Sequence, residues 1–232
     1  KTYSQRLRSV GLRLRAEDDE DTRILRLVLM NAVIGEAREP QLYAESLALV
    51  RRWLSDRSAL EPEVAQHLVP LVARYGDRAL FDELLGAARR EKDATVRGVL
   101  LSGLGSFEDQ GLARAALNIV LGDEFPMAEA QRLLYGPLGQ PGTRRLPFLF
   151  VKEHFDALVG RLPREGGARL AAVGGALCTD AERTEVASFF TGRSTRYTGG
   201  PRILKQSLER IGTCTAFTAA QQGPLADFLR RY

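Results

Sequence analysis

Two histidines, His67 and His154, are the only imidazoles in this chain that could bind a metal ion or act as a general base. A zinc-peptidase site needs two histidines four residues apart on one helix, with a glutamate beside the first as general base. His67 and His154 lie far apart, so neither completes that motif. We therefore expect no metal site in this chain.

Nucleophile and phosphate motifs are also incomplete. A phosphate-binding loop needs a lysine directly after a glycine, and no lysine here follows a glycine. Ser194 follows Gly192 by two positions, but Arg196 stands where the hydrolase elbow needs a second glycine. Cys178 and Cys214 do not have metal-site spacing; we expect small buried apolar residues, with one disulfide possible. The residues by themselves predict no catalytic group.

Clustered carboxylates have a simpler explanation than catalysis. The acidic run Glu17–Asp21 precedes a predicted helix, where it complements the helix dipole and is solvated. A calcium loop starting at Asp19 or Asp21 would need glycine at its sixth position, where Ile24 or Arg26 stands. Helix capping explains the remaining carboxylate pairs, which are Glu108 with Asp109, Asp123 with Glu124, and Asp180 with Glu182.

The overall charge argues against nucleic acid as a partner. The 232 residues carry 33 basic and 29 acidic side chains, a net charge of +4. The arginines are spread among acidic residues rather than gathered in one stripe, so we expect ion pairs and solvated helix faces. No run approaches the roughly 18 apolar residues of a membrane span. Because the chain starts at Lys1 without a leader pattern, we expect it to be part of a longer protein.

Helical periodicity runs through almost the whole sequence. Tyr43, Leu47, Val50 and Leu54 recur at helical spacing, and prolines stand at first-turn positions. Thr191–Pro201 is the longest predicted loop. A further predicted helix has Pro62 in its first turn and Val64, Leu68, Leu71 and Tyr75 on one face. The other predicted helices cover residues 22–37, 40–56, 77–91, 94–105, 109–121, 126–136, 145–160, 165–177, 180–191, 202–216 and 224–231.

Short links between consecutive helices predict helical hairpins, and each hairpin needs a stacked neighbour to bury its apolar face. The segment from Asp93 to Gly105 resembles the second half of a HEAT repeat. The predicted fold is therefore all-α, a right-handed α-solenoid of HEAT-like antiparallel helical hairpins. We expect one domain over residues 1–232.

The chain resembles the C-terminal helical domain of aminopeptidase-N-like zinc aminopeptidases, in the branch of the puromycin-sensitive and endoplasmic-reticulum enzymes. That family reads Asn-Pro, then Trp-x-Phe-Val-Lys-x-Asn-Trp-x-x-Leu, where this chain has Gln140-Pro141 and then 145–159. Further matches are Glu185-Val186 with Phe189-Phe190, the run 204–211, Leu25-Arg26, Trp53 and 81–85. Departures are Phe148, Phe155 and Phe228 where tryptophan is usual, and Gln140 for asparagine.

The resemblance implies that zinc and the catalytic motifs belong to an upstream domain of the same chain. This segment would then be non-catalytic and without a cofactor, and it would enclose the peptide substrate with a concave basic wall. Candidate wall residues are Lys152, Arg196, Tyr197, Arg202 and Lys205. The main alternative is a free-standing HEAT-like adaptor that binds protein or nucleic acid, and a self-contained enzyme ranks third. The sequence indicates no cellular compartment.

Overall fold

The computed structural model describes residues 2–163 and 165–231, and these residues form twelve α-helices with short π and 3₁₀ segments and no strands. The all-α prediction is confirmed. The chain divides into two compact units, Lys1–Pro137 and Leu138–Tyr232. The right-handed sense of the solenoid and the single-domain organisation stay predictions.

The first unit contains eight α-helices that follow one another with short connections. Aspartate side chains accept backbone N–H groups at the starts of several of these helices, at Asp19, Asp77, Asp93 and Asp109. Such caps satisfy N–H groups that have no partner within the helix. The helices are α1 (Thr2–Val10), α2 (Glu20–Met30), α3 (Pro40–Ser55), α4 (Pro62–Arg74), α5 (Arg78–Arg90), α6 (Ala94–Leu104), α7 (Gln110–Ile119) and α8 (Met127–Tyr135).

The structure differs in detail from the predictions for two helical segments, 22–37 and 40–56. The predicted helix 22–37 is α2 continued by a π-helix, Asn31–Glu36, after which Arg38 adopts a positive φ of 48°. The α3 helix buries Leu42, Ser46, Val50 and Trp53. Tyr43 and Leu47, which were predicted to lie on the buried face, remain partly exposed. The buried face of α3 is therefore rotated relative to the predicted one.

Arginine–glutamate pairs link successive helical repeats in the first unit. In five of these pairs the two residues are 32 to 35 positions apart along the chain. This regular separation shows a repeat that the divergent apolar residues conceal, and it confirms that many arginines form ion pairs. The pairs are Arg51–Glu83, Arg57–Glu91, Arg74–Glu108, Arg89–Glu124 and Arg97–Glu129.

The second unit is built around a long final helix, α12 (Gly200–Leu229), which packs on the 3₁₀ segment Leu170–Ala176 and on α11 (Asp180–Ser194). The other helices are α9 (Leu146–Arg161) and α10 (Gly166–Arg169). Four phenylalanine rings, Phe148, Phe155, Phe189 and Phe190, contact one another between α9 and α11. This aromatic cluster keeps the large apolar groups that the resemblance expects there.

Three predictions about the second unit were wrong. The loop at Thr191–Pro201 is shorter, since α11 extends to Ser194 and α12 begins at Gly200. Segments 202–216 and 224–231 form one helix, which continues through Pro224 on an exposed stretch where water can satisfy the freed carbonyl group. Cys178 and Cys214 are not buried apolar residues; both are partly exposed and form a disulfide.

Candidate functional site

Four of the five predicted site residues lie around the start of α12. Arg196 and Tyr197 stand in the turn after α11, and Arg202 and Lys205 lie in the first two turns of α12. Gly199 is the N-cap, with φ of 78°, and no side chain caps the helix. The helix dipole makes this end of α12 electrostatically positive.

Tyr197 is fixed by packing against a glycine. A methyl group added at Gly167 would lie 2.5 to 2.8 Å from ring atoms of Tyr197, so only glycine allows the ring to approach this closely. The ring is half-buried as a result. Tyr197 therefore supports the turn that carries Arg196, and its ring is a contact surface beside the positive helix end.

The positive charges of this turn are largely uncompensated. Among the described residues, neither Arg196 nor Arg202 has a salt-bridge partner within 4.0 Å. Lys205 lies 3.9 Å from Glu209, but both side chains are strongly exposed, at 79% and 62%. Such an exposed pair contributes little, so the Lys205 ammonium stays available to an anionic ligand. One carboxylate does lie at this turn, because Glu165 accepts the N–H of Thr198 at 3.0 Å.

Lys152 occupies a different environment. It lies on α9, and its Nζ is 2.9 Å from the carboxylate of Glu185 on α11. Arg145 binds the same carboxylate at 2.9 Å. The charge of Lys152 is therefore shared within an ion-pair network that links two helices.

A cleft of about 370 Å³ lies between α11 and α12 next to this turn. Apolar Leu204 and Leu208 form part of its lining, together with the charged Arg183, Lys205 and Glu209. The remaining lining residues are Thr191, Ser194, Thr195 and Pro201. The mixture of apolar and charged groups suits a side chain or chain end that carries an anion.

Sequence reasoning missed two arginines of this region. Arg183 lines the cleft and donates from Nε to the Leu208 carbonyl oxygen at 3.2 Å. Arg193 lies 4.1 Å above the Phe189 ring and 5.6 Å from Phe155. Helical spacing places Arg183, Thr191 and Ser194 toward one face of α11, which is a signal that the sequence already contained.

The other candidate chemical groups have structural roles. Asp109 caps α7, Glu108 pairs with Arg74, and Glu124 pairs with Arg89. Capping is therefore confirmed for Asp109, whereas Glu108 and Glu124 form ion pairs with other helices instead of caps.

The described residues contain neither a metal-binding group of side chains nor a helix that could span a membrane. Nε2 of His67 lies 3.1 Å from the Leu27 carbonyl oxygen, and burial lowers the pKa of this imidazole. Over residues 2–163 and 165–231, no three His, Cys, Asp or Glu side chains form a group able to hold a metal ion. In the same part of the chain, every helix is too short or too polar for a bilayer span.

A family model matches most of the chain. The family model described as ERAP1-like C-terminal domain matches residues 1–213, which covers most of the chain and ends within α12. A search of curated proteins found no match.

Proposed function

The chain belongs to the ERAP1-like C-terminal domain family, and from this membership we propose that it is the substrate-enclosing, non-catalytic domain of a zinc aminopeptidase. Family membership makes it part of an aminopeptidase-like enzyme. In the proposal, the zinc ion and the glutamate general base belong to the upstream catalytic domain of the same chain. The whole enzyme removes N-terminal residues from peptides, and residues 1–232 form one domain that encloses the distal part of the peptide.

The group of uncompensated cations at the start of α12 is the observation that carries this proposal. A peptide's terminal carboxylate would accept charge-assisted hydrogen bonds from Arg196, Arg202 and Lys205, in a region where the helix dipole also favours negative charge. Tyr197 supplies a fixed aromatic surface beside them. Lys152 contributes less, because Glu185 already compensates its charge.

The cleft between α11 and α12 supplies room for the last side chain of the peptide. Its volume of about 370 Å³ lies within the range of small-ligand pockets, and Leu204 and Leu208 provide apolar contact. Lys205 lines the cleft and also lies near the uncapped helix start. One lysine can therefore contact both the carboxylate and the neighbouring part of the bound peptide.

The test compares one unstructured peptide with a free or an amidated C-terminus, by fluorescence anisotropy with the 232-residue chain. The free acid should bind about tenfold more tightly, which corresponds to about 1.4 kcal/mol. The double variant Arg202→Gln/Lys205→Gln should remove this difference. Arg230→Gln is the matched control, because Arg230 lies near the other end of α12 and pairs with Asp227 at 3.1 Å.

Added salt should reduce the difference in affinity between the free-acid and the amidated peptide, because salt screens exposed charges. Equal affinity for both peptides at low salt would refute the proposed carboxylate site.

Two further measurements address the other functional classes. Incubation with an aminoacyl reporter, with and without zinc, should give no turnover, and robust turnover would mean that the chain is a complete enzyme. Binding to nucleic acid should be weak. Tight binding with a steep salt dependence would instead support the adaptor alternative.

A further inference from the structure

We propose that the Cys178–Cys214 disulfide is a thiol–disulfide exchange site, and that its reduction by a dithiol releases the C-terminal half of α12. The bridge joins the residue before the N-cap of α11 to the middle of α12. The Cα atoms of the two cysteines are 5.2 Å apart. The bridge is thus a covalent link between two elements that otherwise meet through side-chain packing and the hydrogen bond from Arg183 to the Leu208 carbonyl oxygen.

The position of Cys214 coincides with the point where α12 leaves the core. Ile211 is the last buried residue of the helix, with no exposed surface. None of the residues from 212 to 231 is buried, and Phe217, Leu225 and Leu229 are more than half exposed. The disulfide therefore attaches the helix to the rest of the second unit just beyond its final buried contact.

The exposed half of α12 is a weak helix by composition. It contains the β-branched residues Thr213, Thr215 and Thr218, followed by Gly223 and Pro224. Threonine and glycine lower helix stability, and an interior proline removes a hydrogen bond. Most helical stability in proteins comes from tertiary packing, and this exposed segment lacks buried residues. Its order consequently depends on the anchored turn at Cys214.

The bridge is accessible to an attacking thiolate from one side. Cys214 lines an open groove of about 550 Å³ that runs along α12. The other lining residues are Gln206, Glu209, Arg210, Thr213 and Phe217. Arg210 lies one helical turn before Cys214 and has no salt-bridge partner within 4.0 Å among the described residues. A free guanidinium at this position attracts an incoming thiolate.

The other sulfur is placed to leave. The Thr218 hydroxyl oxygen lies 3.5 Å from Sγ of Cys178, so its proton can stabilise a thiolate there. Cys178 also precedes the N-terminus of α11, whose dipole favours negative charge. The Glu182 carboxylate, which accepts the Cys178 N–H at 3.1 Å, opposes this effect in part. The geometry therefore favours attack at Cys214 with Cys178 as the leaving group.

The exchange balances with a dithiol as the two-electron reductant. One thiolate of the dithiol attacks Sγ of Cys214, forms a mixed disulfide and expels the Cys178 thiolate. The second thiolate then attacks the mixed disulfide, closes the oxidised dithiol and expels the Cys214 thiolate. Two protons from the dithiol end on the two cysteines, and the oxidised dithiol is the other product.

Hydrogen exchange of the 232-residue chain, with dithiothreitol as the probe, tests the release. Reduction should lower the protection of amides in 213–229 to that of an unstructured chain, a loss of about tenfold or more, whereas amides in α11 and in 200–211 stay protected and lose only the part that reflects lower global stability. The double variant Cys178→Ser/Cys214→Ser should show the released pattern without reductant and should not respond to it. Unchanged protection of 213–229, or loss of protection throughout the second unit, would overturn the proposal.

A second measurement tests the direction of attack and does not depend on the cysteine variant. Glutathione, used as a monothiol probe, should form its mixed disulfide mainly on Cys214, as read by mass spectrometry of the peptides. The variant Arg210→Gln should slow this reaction several-fold, whereas Arg230→Gln should leave its rate unchanged. An adduct mainly on Cys178 would show that the attack geometry is wrong.

Discussion

Arg26 belongs to α2, and its side chain is fully buried. Its Nη2 lies 2.5 Å from the Asp18 carboxylate. The same side chain donates to the carbonyl oxygens of Val10 at 3.0 Å and Gly11 at 3.1 Å. Arg26 thus ties the end of α1 and the acidic segment to α2. The expectation that the acidic run is solvated is wrong for Asp18, because its carboxylate pairs with a buried cation.

Replacing Arg26 tests the importance of this tie. Arg26→Gln should lower the free energy of unfolding by about 3 kcal/mol, because it leaves the Asp18 carboxylate and two carbonyl groups without their buried partner. Urea unfolding measures the change. Arg23→Gln is the control, since Arg23 is exposed on the same helix and should give almost no effect. Equal effects of the two substitutions would contradict the structural role of Arg26.

The stability of the folded chain should depend on pH through the Asp18 carboxyl group. Its pKa is lowered from the ordinary value, mainly because it accepts the Arg15 N–H and also because it pairs with Arg26. A pKa that is lower in the folded state gives stability that is present above the unfolded-state value. That stability is lost as pH falls from about 4 through the folded-state pKa.

The unsubstituted chain should therefore melt at a higher temperature than the Asp18→Asn variant at neutral pH, and the two melting temperatures should converge in acid. A constant difference across this range would show that the carboxylate charge does not matter.

After Arg26, Arg74 should be the most important ion-pair residue of the first unit. It binds Glu108 at 3.0 Å, Glu36 at 3.0 Å and the Gly35 carbonyl oxygen at 3.1 Å, and its side chain is only 14% exposed. Arg74→Gln should cost about 2 kcal/mol, because charge-assisted hydrogen bonds are lost in a partly dry environment.

Arg78→Gln is the matched control for Arg74→Gln. Arg78 forms an exposed pair with Asp82 one turn away, so its loss should be within experimental error in the same denaturation assay. A loss as large as that of Arg74→Gln would mean that burial does not set the strength of these pairs.

Two glycines of α6 should respond in opposite ways to alanine. A methyl group at Gly103 would lie 2.8 Å from Val69 Cγ1 in α4, so overpacking should outweigh the gain in helix propensity and cost about 1–2 kcal/mol. At Gly98 the nearest neighbour is the flexible Arg132 side chain at 3.4 Å. Gly98→Ala should therefore stabilise the chain by roughly 0.5–1 kcal/mol.

Thermal unfolding of both variants measures these effects. The double variant Val69→Ala/Gly103→Ala should lose less stability than the sum of the losses of the two single variants, because the smaller side chain at position 69 makes room for the new methyl group. Purely additive effects would show that the two side chains do not compete for the same space.

Breaking the Cys178–Cys214 bridge should also lower global stability. The cysteines are 36 positions apart, and a crosslink over a loop of that size restricts the unfolded chain by about 4 kcal/mol in the chain-entropy description. Denaturant titration with and without dithiothreitol measures the loss, and Cys178→Ser/Cys214→Ser should be insensitive to the reductant. No change on reduction would mean that the unfolded state is not restricted by the bridge.

Much of the helical structure could be predicted because its causes are local. Period-3.6 apolar spacing, the capping aspartates Asp77, Asp93 and Asp109, and first-turn prolines act over a few residues. The same local information failed at Pro224, where an exposed helix tolerates a proline, and at α1, which was not predicted although Leu7 and Val10 are buried at helical spacing.

The candidate site was only partly predictable for the same reason. The sequence placed Arg196, Tyr197, Arg202 and Lys205 close together along the chain, and the structure arranges them around one helix start. Whether an individual charge is compensated is a different question. Glu185, which lies 33 positions away from Lys152, compensates that lysine, and no local pattern indicates this pair.

The sequence by itself therefore determined the all-α class, most helix limits, the absence of a zinc-peptidase histidine pair and the family resemblance. The tertiary structure decided the burial of Arg26, the pairing of Cys178 with Cys214 and the cleft between α11 and α12. Helix formation depends on neighbours a few residues apart, which a sequence displays directly. Burial, ion pairing and crosslinking depend on distances between residues far apart in the chain, which only the folded backbone establishes.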